Sequence, residues 1–398
     1  MNQWSFGLLA LGMLGCNNKP ISTGPDAALT VHEWGTFTSM VGSTGAVLSG
    51  LHHEEEALPA FVHSRSAVPT MMKGLETIPD GVTQKLETPV LYFYTKTAQP
   101  VTVTVGFPDG VVSQWFPKAA EFSPAVGAMG PRVAGGSMTW RGQLQPGMSG
   151  FPAVDPADIW APSRTGMAVP IAVDDEREQF IFYRGLGSFN TPLHTEALAN
   201  GTLTVTNDSD QPIQTMFLLR QHSAGGYIAE LGGLEAHQSM PNILAPAAGK
   251  ERNVDTFVAD ASNQIAAALV KSGLTVEESR AMVDTWSRSY FRTPGLRLLY
   301  IVPRVWTDKL LPITISPAPT DLVRTLVGRV EVLAPTDESE LMSQVRQAAQ
   351  TQVDPLTLIG NLGRFAEAKL RRATDLVGVD VGTSTYLQNA IAVAHANP

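Results

Sequence analysis

Apolar and polar positions change their period along this chain. Up to about residue 245 the apolar runs are short and read as strands. A first strand is expected near 29–40, before a loop-rich stretch to residue 83. Residues 89–95 (PVLYFYT) form a continuous apolar and aromatic run, as a buried strand does. Residues 101–105 (VTVTV) alternate like a half-buried one. The turn signal Phe107-Pro108-Asp109-Gly110 then leads into 110–116, so these three strands predict an antiparallel meander. The Gly- and Pro-rich 117–177 predicts long loops with a short strand near 137–144. Further strands are expected at 179–184 and 226–231. A hairpin of 202–206 and 213–220 is expected around Asn207-Asp208-Ser209-Asp210. Short strands without helices between them predict a β-sandwich.

After Pro246 the apolar spacing becomes helical. Phe257, Ala261, Ile265, Ala268 and Leu269 line one face of 254–271, which Ser272-Gly273 ends. Thr275 and Glu278 form a capping box that opens a second helix carrying Val283, Trp286 and Tyr290. Strands follow at 296–303 and 322–333. Thr336 is expected to cap the next helix, and helices are expected near 362–376 and 383–395. The fold class is therefore α+β: an antiparallel β-sandwich-like body, a helical hairpin insertion and a C-terminal helical segment. The expected organisation is a β-rich domain over 29–245, the hairpin over 246–295, strands returning to the β body over 296–335, and helices over 336–398.

The first residues carry a different signal. Residues 6–15 (FGLLALGMLG) are an uncharged apolar run, too short to span a bilayer and suited to a signal-peptide core. Met13-Leu14-Gly15-Cys16 then resembles a lipobox, although residues 1–5 lack Lys and Arg and Met13 stands where Leu is usual. The reading is a signal peptide over 1–16, acylation of Cys16, and a polar tether over 17–28 that holds an exported protein at a membrane of the cell envelope. Plain secretion is the alternative.

Composition narrows the partners. Hydrophobic residues make up 43% of the 398 residues and charged residues 16%, enough apolar material for a sizeable core. The net charge of −9 argues against nucleic acid, which needs a basic surface. Cys16 is the one cysteine in the sequence, so disulfides within the chain and thiolate zinc clusters are excluded.

Several segments resemble a family of exported bacterial proteins: Val31-His32-Glu33-Trp34-Gly35-Thr36-Phe37-Thr38, Glu87-Thr88-Pro89-Val90-Leu91-Tyr92-Phe93-Tyr94, Phe182-Tyr183-Arg184-Gly185, Leu299-Tyr300-Ile301-Val302-Pro303-Arg304 and Leu326-Val327-Gly328-Arg329-Val330-Glu331. The resemblance spans most of the mature chain. It implies an exported, disulfide-poor globular protein and supplies no mechanism.

Signatures such as HExxH, GxSxG, SxxK and the P-loop are absent from the sequence. One constellation remains: four of the eight histidines, with Glu33 and Glu54–Glu56, fall between His32 and His63. Imidazole and carboxylate ligands suit a divalent transition metal. The expected ligands are His32, His53 and His63, with Glu33 or Glu54 as base. The plain alternative is a charged surface loop flanked by hydrogen-bonded histidines. The acidic run 174–178 is a weaker calcium candidate beside a solvated turn. Arg184 and Arg304 follow strand ends, where a guanidinium fork binds a carboxylate or a sugar, or pairs internally. Two readings result: an envelope binding or scaffold protein, and a metal-dependent hydrolase or other metalloenzyme.

Overall fold

The computed structural model describes residues 28–54, 57–65, 81–125, 133–164, 166–244, 251–287, 289–378 and 380–396. The signal segment, Cys16 and residues 17–27 lie outside the described residues, as do Glu55 and Glu56. Among the described residues no helix is long and apolar enough to cross a membrane.

The strands form three sheets. The ten-stranded sheet runs in the order β15 (Gly225–Leu234), β14 (Ile213–His222), β17 (Gly295–Ile301), β19 (Asp321–Val332), β1 (Thr30–Val41), β3 (Gln84–Leu86), β11 (Ile181–Gly187), β6 (Gly110–Phe116) and β2 (His63–Ser64). In the same sheet, β4 (Val90–Tyr94) pairs with β1 and β11. The second sheet is β10 (Glu176–Glu178), β9 (Ile171–Val173), β8 (Gly136–Leu144), β5 (Gln99–Phe107) and β18 (Ile313–Ser316), with β7 (Glu121–Ser123) beside β8. The third is β12 (Leu193–Ala197), β13 (Thr202–Asn207) and β16 (Ser239–Leu244).

β1 is the axis of the large sheet. It pairs in parallel with β19 in unbroken register, from Thr30 opposite Asp321 to Val41 opposite Val332. Eleven of its twelve residues are buried, so both of its faces are covered. Side chains alternate across a strand, and the two faces of β1 meet different partners. Val31 and Phe37 enter the core shared with the second and third sheets, beside Val103, Val105 and Trp140. Trp34 packs on the opposite face with α1 (Val254–Lys271) and α2 (Val276–Trp286), against Met282 and Trp286. Close approach also fixes the partner strand: a Cβ on Gly328 would lie 2.3 Å from the Tyr300 ring.

The α+β class stands, and several local pairings do not. β4, β5 and β6 do not form a meander, because β5 leaves for the second sheet while β4 and β6 stay in the first. Likewise β13 and β14 lie in different sheets; β14 turns back on β15 instead. Thr336 does not cap α4 (Pro335–Thr351). That helix starts from Ala334 with Pro335 in its first turn, and Asp337 accepts the Ala334 N–H. The expected helix near 362–376 is α6 (Ala366–Leu376), and α5 (Pro355–Leu362) before it has no counterpart among the expected elements. α3 (Arg304–Leu310) and β18 have no counterpart among the expected elements either. The helices α1 and α2 lie where the periodicity put them, and both halves of the α2 capping box are formed.

The helices α4 to α6 and α7 (Val381–Ala396) have their own core, including Leu341, Val345, Leu370 and Leu387. Phe365 and Ala368 carry this bundle onto the β body, where they meet Met40, Leu48 and Leu51. This seam positions the site described next.

Candidate metal centre

After β1 the chain turns through a loop whose apolar anchors are Leu48 and Leu51. Gly50 and Leu51 donate their N–H groups to the Val82 carbonyl. Gly50 has φ +98°, and a Cβ there would lie 2.8 Å from the Glu367 side chain. Only glycine takes that backbone conformation freely and lets the loop close on α6. The loop then presents His52 and His53 to Glu367, which is fully buried.

Three imidazoles surround this carboxylate. His52 Nε2 lies 3.5 Å from Glu367 Oε2, and His53 Nε2 lies 3.4 Å from the same oxygen. His395 Nδ1, from the last turn of α7, lies 3.3 Å from Glu367 Oε1. One ligand atom from each of His52, Glu367 and His395 lies within 4.8 Å of the others. In tetrahedral zinc, bonds of about 2.0–2.1 Å put ligand atoms about 3.4 Å apart. The loop and α7 therefore need only close slightly to enclose an ion. Arg371, one turn along α6, holds Oε1 at 2.7 Å and leaves Oε2 toward His52 and His53.

The protonation states suit metal ligation. Burial, with His53 alongside, lowers the His52 pKa to about 4, so its imidazole is neutral. Burial pushes Glu367 up, yet His53, Arg371 and His52 together hold it down to about 2, so it is ionised. Both ring nitrogens of His52, and Nε2 of His53, are buried without a hydrogen-bond partner. Buried polar atoms are ordinarily satisfied.

The expected trio of His32, His53 and His63 does not assemble. His32 lies on the helix-facing side of β1, with Nδ1 2.9 Å from Glu278 Oε2 in α2. His63 in β2 points its Nε2 at Glu176 Oε1, 2.7 Å away in the β9–β10 hairpin. Closeness in sequence misled here because β1 and β2 lie at different places in the sheet. His53 alone of the three reaches the cluster, beside its neighbour His52. Glu367 and His395 come from distant helices, and nothing in their local sequence marks them.

The other candidates are committed elsewhere. Glu33, on the face of β1 opposite His32, accepts from Tyr183 and Arg324 in a buried network. Glu54 pairs with Lys85 at 2.9 Å and with Arg184. Arg184 also donates Nε to the Glu87 carbonyl at 2.7 Å. Arg304 spends its fork on Asp308 within α3, with both contacts 2.9 Å, and on the Leu322 carbonyl. The acidic run 174–178 forms the β9–β10 hairpin, with Asp174 at φ +52° in its turn. Glu178, fully buried, holds Arg164 and the Trp160 indole.

No protein-family model and no curated protein matches the chain. Among solved structures, it is similar to the Fcho1 Mu homology domain of Danio rerio with bound Eps15 peptide. That match has 7% identity and a TM-score of 0.27, and covers 77% of this chain and 95% of that one. It is also similar to the yeast delta-COP-I mu-homology domain complexed with a Dsl1 WxWxV peptide, at 6% identity and a TM-score of 0.25, covering 77% and 96%. Likeness at this level carries no argument about function, so the functional reading rests on the site.

Proposed function

We propose that this chain is an exported cell-envelope protein that binds a divalent transition metal through His52, Glu367 and His395, with His53 beside them. The observation that carries the reading is the convergence of the neutral, unpartnered His52 imidazole, the ionised Glu367 carboxylate and the His395 ring. Two imidazoles and a carboxylate favour zinc among common ions. Three protein ligands also leave a coordination position open. Of the expected ligands His32, His53 and His63, only His53 stays beside this site, and His52, Glu367 and His395 replace the other two. Export and acylation at Cys16 rest on the apolar run 6–15 and the lipobox-like Met13-Leu14-Gly15-Cys16. The β body is then a binding module held at the membrane.

The test is metal content and zinc affinity of the full chain. One equivalent of zinc is expected in the wild type. Affinity should fall at least tenfold in His395→Ala and Glu367→Gln, and should not change in His32→Ala. Absence of stoichiometric zinc, or equal affinity in His395→Ala, overturns the reading.

A further inference from the structure

A second set of buried charges lies on the other side of the His52–Glu54 segment. Lys85, Arg184 and Arg364 line a cavity of about 30 Å³ together with the carboxylates of Glu54 and Glu87. Lys85 and Arg184 are 1% and 5% exposed. Both carboxylates are already engaged: Glu54 by Lys85 and Arg184, Glu87 by Arg364 and Tyr290. Among the described lining residues three formal positive charges face two negative ones, an excess of one. Charge held away from water is costly unless it is compensated.

Two donors repeat the demand. Trp286 lines the cavity at 1% exposure, and its indole Nε1–H is buried with no acceptor. Arg184 donates Nε to the Glu87 carbonyl and Nη1 to Glu54, and its Nη2 meets no acceptor among the described residues. A guanidinium edge and an indole N–H call for acceptor oxygens.

We propose that this cavity binds the carboxylate of a small organic acid. A carboxylate brings one negative charge and two coplanar acceptor oxygens, matching the excess and the fork of Arg184. A phosphate brings nearly two charges and overshoots it. The volume takes no more than a carboxylate head. The expectation that Arg184 recognises a carboxylate thus gains a place. This site shares no ligand side chain with the metal centre and stands independently of it.

The experiment measures melting temperature and titration calorimetry on the full chain in EDTA at fixed ionic strength, with acetate, succinate, inorganic phosphate and chloride as probes. Acetate or succinate should give a saturable rise in melting temperature that chloride does not. Trp286→Phe should lower the free protein's melting temperature, because the indole packs in the core against Tyr290, and should weaken binding about tenfold relative to that variant's own baseline. Arg184→Gln should abolish binding, and His395→Ala should retain it. No saturable effect of either carboxylate, or an effect untouched by both Trp286→Phe and Arg184→Gln, overturns the proposal. Binding of phosphate alone overturns the carboxylate assignment.

Discussion

Lys85 Nζ donates to the carbonyl of His53 at 2.6 Å, from beneath the loop that carries the metal-facing imidazoles. The same ammonium donates to the His52 carbonyl at 3.2 Å and pairs with Glu54 at 2.9 Å. One buried cation in β3 therefore holds the carbonyls of His52 and His53 and the carboxylate of Glu54, three consecutive residues whose side chains serve two sites. Burial lowers its pKa to about 8, so the proton it carries at neutral pH depends on these acceptors.

Replacing that cation with an apolar side chain of similar length separates its roles. Lys85→Met removes a buried ammonium from Glu54, which is partly exposed and keeps Arg184, and should cost about 1–3 kcal/mol in denaturant unfolding. It should also weaken zinc binding about 10–100-fold, as loss of support behind metal ligands does. Unchanged zinc affinity in the folded variant would detach the loop's position from Lys85.

Glu87 predicts a pH dependence. Burial works against its ionisation, but Arg364, Arg329 and the Tyr290 hydroxyl bring its pKa from 4.5 to about 2. The folded value lies below the unfolded one, so the stability it adds is present in full above pH 4.5. It is lost as pH falls from there toward 2. The contribution is at most about 3 kcal/mol. Glu87→Gln should flatten the stability profile between pH 4.5 and 2 in urea titrations. A wild-type slope in that variant would refute the assignment.

Glu278 serves three partners at once. It closes the capping box of α2 by accepting from Thr275 N at 2.8 Å, it accepts from the Tyr94 hydroxyl at 2.7 Å, and it holds His32 at 2.9 Å. Thr275→Ala should cost about 1 kcal/mol, a cap alone. Glu278→Gln should cost more, and a double-mutant cycle with His32→Ala should show coupling of about 0.5 kcal/mol or greater. Additive losses would mean that the His32 contact adds nothing.

For the membrane anchor, Cys16→Ser should abolish incorporation of labelled palmitate and release the protein from membranes at physiological salt. Labelling that persists in the variant would rule Cys16 out.

Local signals in the sequence were read well and long-range ones were not. Periodicity and capping place α1 and α2, because those features are decided within a few residues. The same logic fails for β4, β5 and β6. Each strand is apparent alone, but sheet membership is decided by partners such as β1, β8 and β11, far along the chain. The metal cluster failed for the same reason. His52-His53 was visible as a pair. Glu367, however, reads as an ordinary acid on an amphipathic helix and His395 as a residue in a terminal turn, until packing of α6 on α7 brings them to the loop.

The parallel pairing of β1 with β19 has a consequence for the order in which this molecule is built. Glu33 and its partner Arg324 are 291 positions apart. During synthesis one edge of the first strand can pair with β3 and β4 soon after it emerges, but the other waits for almost the whole chain before β19 exists. Such distant pairing slows folding and exposes an unpaired sticky strand meanwhile. Because β19 lies within the last hundred residues, one edge of the axial strand stays open to wrong pairing until they arrive.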